Sequence, residues 1–70
     1  MAPTTVTNSI RRLRFEHDEM TQQQLADVVG ATRQTIISIE AGRYGPSLEL
    51  AFRIARAFDR GVEEVFGFKA

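Results

Sequence analysis

From residue 8 onward the apolar residues recur at three- and four-residue intervals, broken by short polar or glycine-bearing stretches, a pattern that predicts helices throughout. The first helix is expected from about Asn8 to His17, capped by Thr7 or Asn8, with Val6, Ile10, Leu13 and His17 as its inward stripe. A second follows Thr21, whose hydroxyl can cap exposed N–H groups while Gln24, three places on, completes a capping box. Gly30 ends that helix, because the residue past a helix end usually takes a left-handed backbone that glycine adopts without a Cβ penalty. Thr32 caps a third helix, Arg33 to Ala41, almost at once. Ser47 caps a fourth, Leu48 to Phe58, and after the turn Asp59-Arg60-Gly61 a short fifth runs from Val62 to Phe66. Met1 to Thr7 shows no period and is expected to be a flexible tail, leaving residues 8–70 as one domain.

The second and third helices, joined by so tight a turn, form a helix-turn-helix spanning about residues 21–41. Stepping about 100° per residue from Arg33 puts Arg33, Ile37, Ala41, Gln34 and Ser38 between about 0° and 140°, and Thr35, Ile39, Ile36 and Glu40 between about 200° and 340°. Ile36 and Ile39 therefore face the core. The opposite side offers a guanidinium, an amide and a hydroxyl near the end of the helix that enters the major groove first in this motif. Arginine pairs with guanine O6 and N7, glutamine with adenine N6 and N7, and Ile37 can touch a thymine methyl. Base reading is accordingly assigned to Arg33, Gln34, Ile37 and Ser38, and phosphate contact near the helix starts to Gln22 and Thr32, with Thr35 as a further candidate.

Thr21, Gln22, Leu25, Ala26, Gly30, Thr32, Ile36, Ile39, Glu40, Gly42, Arg43, Pro46, Ser47 and Leu48 stand in a register that resembles the Cro/C1-type, or Xre, family of helix-turn-helix transcriptional regulators. The resemblance covers nearly the whole chain from Ile10 to Phe66. It implies an all-α, compact, five-helix lambda-repressor-like domain that binds double-stranded operator DNA. It also implies that Arg14, at the edge of the first helix's apolar stripe, pairs with Glu40; the alternative is a solvated Arg14 with Glu40 capping a loop. In the family the segment after the third helix contacts phosphate, which suits Arg43 and the hydroxyl of Tyr44, though Tyr44 can equally pack as a lid. Three features depart from the family: a link about one residue longer between the first two helices, zero net charge, and an apolar Ile37 on the DNA face.

Seventy residues make one domain, near the size at which a single core is marginal, so dimerisation would help. The fourth helix points the same way. Its polar residues Glu49, Arg53 and Arg56 occupy only about 80° to 140°, leaving roughly 220° of apolar surface, more than one buried stripe requires. The excess is assigned to the fifth helix and to a second subunit, with Val62, Val65, Phe66 and Phe68 as the dimer surface; a tail folding Phe68 back on its own domain is the alternative.

Nine basic and nine acidic residues cancel, which argues against strong non-specific attraction to nucleic acid, yet Arg11, Arg12, Arg33 and Arg43 lie on or near the motif while Asp59, Glu63 and Glu64 lie toward the C-terminus. Without cysteine there is no disulfide or thiolate site, and one histidine in the run Glu16-His17-Asp18-Glu19 cannot converge with its neighbours on a metal from successive helix positions. No metal, cofactor or enzyme activity is expected. No apolar run is long enough to cross a membrane, so the expected location is the cytoplasm. The function read from this sequence is a homodimeric, sequence-specific transcriptional regulator acting as a repressor. The rivals are the antitoxin of a toxin-antitoxin pair, with a protein partner, and a helix-turn-helix turned protein-binding adaptor.

Overall fold

The computed structural model describes residues 4–69, in the order β1 (Val6–Asn8), α1 (Ile10–Glu16), α2 (Gln22–Val29), α3 (Arg33–Glu40), α4 (Leu48–Ala57), α5 (Val62–Val65) and β2 (Phe66–Phe68). The helix starts are those the side chains dictate. Thr21 Oγ1 accepts from Gln24 N–H at 3.0 Å and Gln24 Oε1 accepts from Thr21 N–H at 2.8 Å, a complete capping box. Thr32 and Ser47 accept in the same way from Thr35 and Leu50, three residues on. Gly30 ends α2 at φ 74°, and a methyl there would also sit 3.3 Å from the Arg53 guanidinium, which packs across the turn.

The fold is not all-α, because the two ends of the described chain pair as a small antiparallel sheet. Val6 lies opposite Phe68, Thr7 opposite Gly67 and Asn8 opposite Phe66. Val6 thus belongs to a strand and not to the stripe of the first helix, although it still packs against the core. Three residues per strand are too few for a period of two to stand out in sequence. The pairing is readable only when the ends meet. Gly67 permits it, since a Cβ on that residue would stand 2.7 Å from Thr7 Oγ1. The tail expectation is overturned for Val6 and Thr7; for Met1 to Pro3 it lies outside the described residues.

Asn8 does not cap as a helix end. The N-cap position is Ser9, whose backbone N–H donates to Val65 O at 2.8 Å, and α1 starts two residues later than its apolar spacing suggests. Asn8 instead accepts from Ile10 N–H through Oδ1 at 3.2 Å and donates Nδ2 to Ile39 O at 2.9 Å. That amide fastens the start of the chain to the last turn of α3, where carbonyls lack helical partners.

Ile10 and Leu13 from α1, Leu25, Ala26 and Val29 from α2, Ile36 and Ile39 from α3, and Ala51, Ile54, Ala55 and Phe58 from the α4 segment enclose a single core. Val65 and Phe66 close its base, 1% and 9% exposed. Two of the four residues assigned to a dimer surface are therefore inside their own subunit. Alternation along β2 turns Phe66 inward and leaves Phe68 74% exposed. His17, which the helical spacing also places inward, rests edge-on against Phe58 with ring centroids 5.2 Å apart.

This alternation predicts unequal costs. Phe66→Ala should destabilise the domain by about 3 kcal/mol through lost burial and a residual cavity, whereas Phe68→Ala should cost under about 1 kcal/mol, as read by urea denaturation at low protein concentration. Equal losses would mean that β2 does not present its two aromatics to opposite sides.

Candidate nucleic-acid interface

Arg14 projects from α1 to the last residue of α3 and meets Glu40 with two roughly parallel bonds, Nε to Oε1 at 2.8 Å and Nη2 to Oε2 at 3.3 Å. Both side chains are largely buried, 16% and 9% exposed. The third nitrogen, Nη1, donates to Met20 O at 2.8 Å. The link between α1 and α2 turns just here: Asp18 and Glu19 both take left-handed backbones, φ 59° and 54°, and Met20 N–H returns to Arg14 O at 2.9 Å. Arg14 thus braces the α1–α2 link at Met20 and the end of α3 with one planar group, a task for which the guanidinium fork is suited.

Gln22, the first residue of α2, donates its side-chain Nε2 to Glu40 Oε2. Its amide is therefore held by the ion pair, while the backbone N–H groups of Gln22 and Gln23 belong to the helix start, where no intrahelical acceptor exists. The carboxylate of Glu40 gathers α1, α2 and α3 at one point. From that point α3 runs along a groove lined by Arg14, Gln22, Arg33, Ile37 and Glu40.

The outward face of α3 follows the angular reading. Arg33 and Gln34 are exposed in the first turn, Ile37 and Ser38 are half-buried in the next, and Ile36 and Ile39 are buried behind them. Arg33 forms no ion pair with any described residue. Gln34 lies 3.4 Å from Ser38 Oγ, a contact weak enough to exchange for another acceptor. Thr32 and Thr35 are more committed: their hydroxyls share a bond of 2.9 Å, and Thr32 also accepts the capping N–H. Beyond α3, Gly42 at φ 72° turns the chain so that the Arg43 N–H reaches Ser38 O at 3.0 Å, leaving the Arg43 side chain exposed and free of ion pairs among the described residues. Tyr44 is 37% exposed.

The apolar surface lies elsewhere. Leu48 and Phe52, one turn apart on α4, are 71% and 52% exposed. They are the excess in that helix's wide apolar arc, at its edge beside the polar residues. Phe52 borders a hollow between α4 and α5 shared with Ala55, Arg56, Asp59 and Val62. Val62 is half-buried and packs on the core, and Phe68 remains the most exposed of the four residues first assigned to an interface. Phe15, 69% exposed on α1, carried no signal in its helix beyond an aromatic standing outside the inward stripe.

The helix-turn-helix family model matches residues 10–65, from the start of α1 to the end of α5. The chain belongs to the Cro/C1-type helix-turn-helix family. A relative from Methanothermobacter thermautotrophicus, described as an uncharacterized helix-turn-helix-type transcriptional regulator, is 54% identical over 61 residues, covering 81% of this chain and 88% of its own. YgzD of Bacillus subtilis, described in the same words, is 44% identical over 59 residues, with 84% and 88% covered. A crystal structure of a candidate DNA-binding protein from Bacteroides fragilis superimposes with a TM-score of 0.76 over 89% of this chain and 98% of that one, at 21% identity, a likeness of fold. None of the helices is long and apolar enough to cross a membrane among the described residues.

The shared carboxylate gives the site a stability signature. Glu40→Ala leaves the Arg14 guanidinium mostly buried with only Met20 O as acceptor, so the domain should lose about 3 to 5 kcal/mol, enough to unfold much of a chain this short. Glu40→Gln, which can still accept from Arg14, should retain more stability in urea titrations than the alanine variant. Equal stability of all three proteins would show that the pair does not hold the helices together.

Proposed function

We propose that this protein binds duplex DNA sequence-specifically as a homodimer and regulates transcription, acting as a repressor. The observation that carries the reading is the face of α3: a free guanidinium and an exposed amide in its first turn, fixed from behind by Ile36 and Ile39 in the core. Such a helix can enter the major groove with Arg33 and Gln34 against base edges, Ile37 against a thymine methyl and Ser38 as a smaller polar contact. Gln22 and Thr32 lie at the starts of α2 and α3, where N–H groups suit phosphate, and Arg43 and Tyr44 extend that contact past α3. Thr35 contributes through the hydroxyl pair it forms with Thr32. The regulatory role is supported by the descriptions of the relatives. Repression needs only occupancy of the site and no second surface.

Dimerisation is supported by Leu48, Phe52 and Phe68, large apolar side chains exposed in a chain whose core is small. One subunit has one such helix and few phosphate contacts, whereas a two-fold pair reads two half-sites about one helical turn apart. Phe52→Glu and Phe68→Glu should each shift sedimentation from dimer toward monomer without unfolding the protein, since neither side chain is in the core. A monomeric wild type at high micromolar concentration would refute the dimer.

The DNA reading is tested by selecting bound sites from random duplex DNA and measuring every single-base variant at several salt concentrations. Arg33→Ala and Gln34→Ala should each lose about 1 to 3 kcal/mol per half-site and relax preference at one defined base pair. Arg43→Ala should weaken all sequences alike and flatten the salt dependence by about one unit of slope per half-site, whereas Gln22→Ala should weaken binding with the slope almost unchanged. Uniform loss from Arg33→Ala and Gln34→Ala, with altered base preference from Arg43→Ala, would assign the bases to a different face.

A further inference from the structure

Four of the chain's arginines are neutralised within the subunit: Arg12 by Glu16, Arg14 by Glu40, Arg53 by Glu49, and Arg60 by Glu16 and Glu64. Arg11 is not paired with any described residue, and it is exposed. Around α1, with Ile10 at 0°, the buried Leu13 falls near 300° and Arg14 near 40°, so Arg11 at about 100° stands on the α3 side and Arg12 at about 200° on the far side. The structure agrees with that placement. Arg11 lines the same groove as Arg33, Gln22 and Ile37, whereas Arg12 turns to Glu16.

The groove between α1 and α3 thus has a free guanidinium on each wall. Its carboxylates are Glu40, already neutralised by Arg14, and Glu19 in the α1–α2 link. We propose that Arg11 is a backbone clamp: a positioning residue on α1 that binds a DNA phosphate while α3 lies in the major groove. The inference rests on the DNA-binding reading and names a contact outside the helix-turn-helix. Arg11 lies on α1, outside the helix proposed to enter the major groove, so its contribution is to affinity and orientation and carries no sequence preference. It also bears on how a chain of zero net charge holds a polyanion. Arg12, Arg14, Arg53 and Arg60 are cancelled in pairs, while Arg11, Arg33 and Arg43 are left without ion pairs around α3; Arg56 on α4 is the other arginine without one among the described residues.

The test compares Arg11→Ala, Arg11→Lys and Arg12→Ala with the wild type on two probes, the duplex selected by the wild type and a generic mixed-sequence duplex at low salt. Circular dichroism verifies that these exposed changes leave the helices intact. Arg11→Ala should lower affinity for both probes alike, by about three- to tenfold, and reduce the slope of log K against log salt by about one unit per half-site. Arg11→Lys should retain the slope, and Arg12→Ala should leave it near the wild-type value. An unchanged slope in Arg11→Ala overturns the clamp, and so does an equal reduction in Arg12→Ala, which would reveal an effect of overall charge. If no site is selected but the generic duplex still distinguishes Arg11 from Arg12, sequence-specific recognition fails and the clamp stands; if neither probe binds the wild type, both fail.

Discussion

The geometry of this domain depends on one largely buried carboxylate. Glu40 ends α3, receives two hydrogen bonds from Arg14 of α1, and accepts a third from Gln22 at the start of α2. A charge this buried is tolerated only when its lone pairs are satisfied, and the three donors come from the elements whose relative placement defines the groove. If α1 or α2 rotated, the carboxylate would lose a partner. The network converts a general requirement, that buried charge be paired, into a specific arrangement of three short helices.

Charge also explains how a neutral chain can present a cationic surface. The i,i+4 pairs Arg12–Glu16, Arg53–Glu49 and Arg60–Glu64 are exposed and contribute little to stability. Their effect is on the field: they cancel Arg12 on α1's far side, Arg53 on α4 and Arg60 before α5, leaving Arg56 as the unpaired arginine of α4 among the described residues. Arg33 and Arg43 have no such neighbours. A sum over the sequence erases this separation, whereas a phosphate meeting the α3 face responds to nearby guanidiniums more than to carboxylates beyond a Debye length.

The antiparallel pairing of β1 with β2 adds closure. It brings Phe66 under the core and, with the bonds from Ser9 to Val65 and from Asn8 to Ile39, joins both ends of the described chain to the body that carries α3. For a domain of this size the extra burial matters, because helices of four to ten residues are not stable alone. It also redistributes exposed apolar area, removing Val65 and Phe66 from any interface and leaving Leu48, Phe52 and Phe68 outside.

By itself the sequence determined whatever depends on near neighbours. The caps at Thr21, Thr32 and Ser47, the left-handed stop at Gly30 and the division of α3 into Arg33 and Gln34 outside and Ile36 and Ile39 inside all follow from bonds or angles spanning at most a turn or two. The Arg14–Glu40 pair was legible only through family resemblance, since 26 residues separate the partners. Tertiary structure alone decided that Gln22 shares that carboxylate, that Val6 and Phe68 face each other across a sheet, and that Phe66 is core while Phe52 is surface. The reason is physical: a three-residue strand has no local stability or period of its own, and an apolar residue at a helix edge is buried or exposed according to what distant chain arrives beside it.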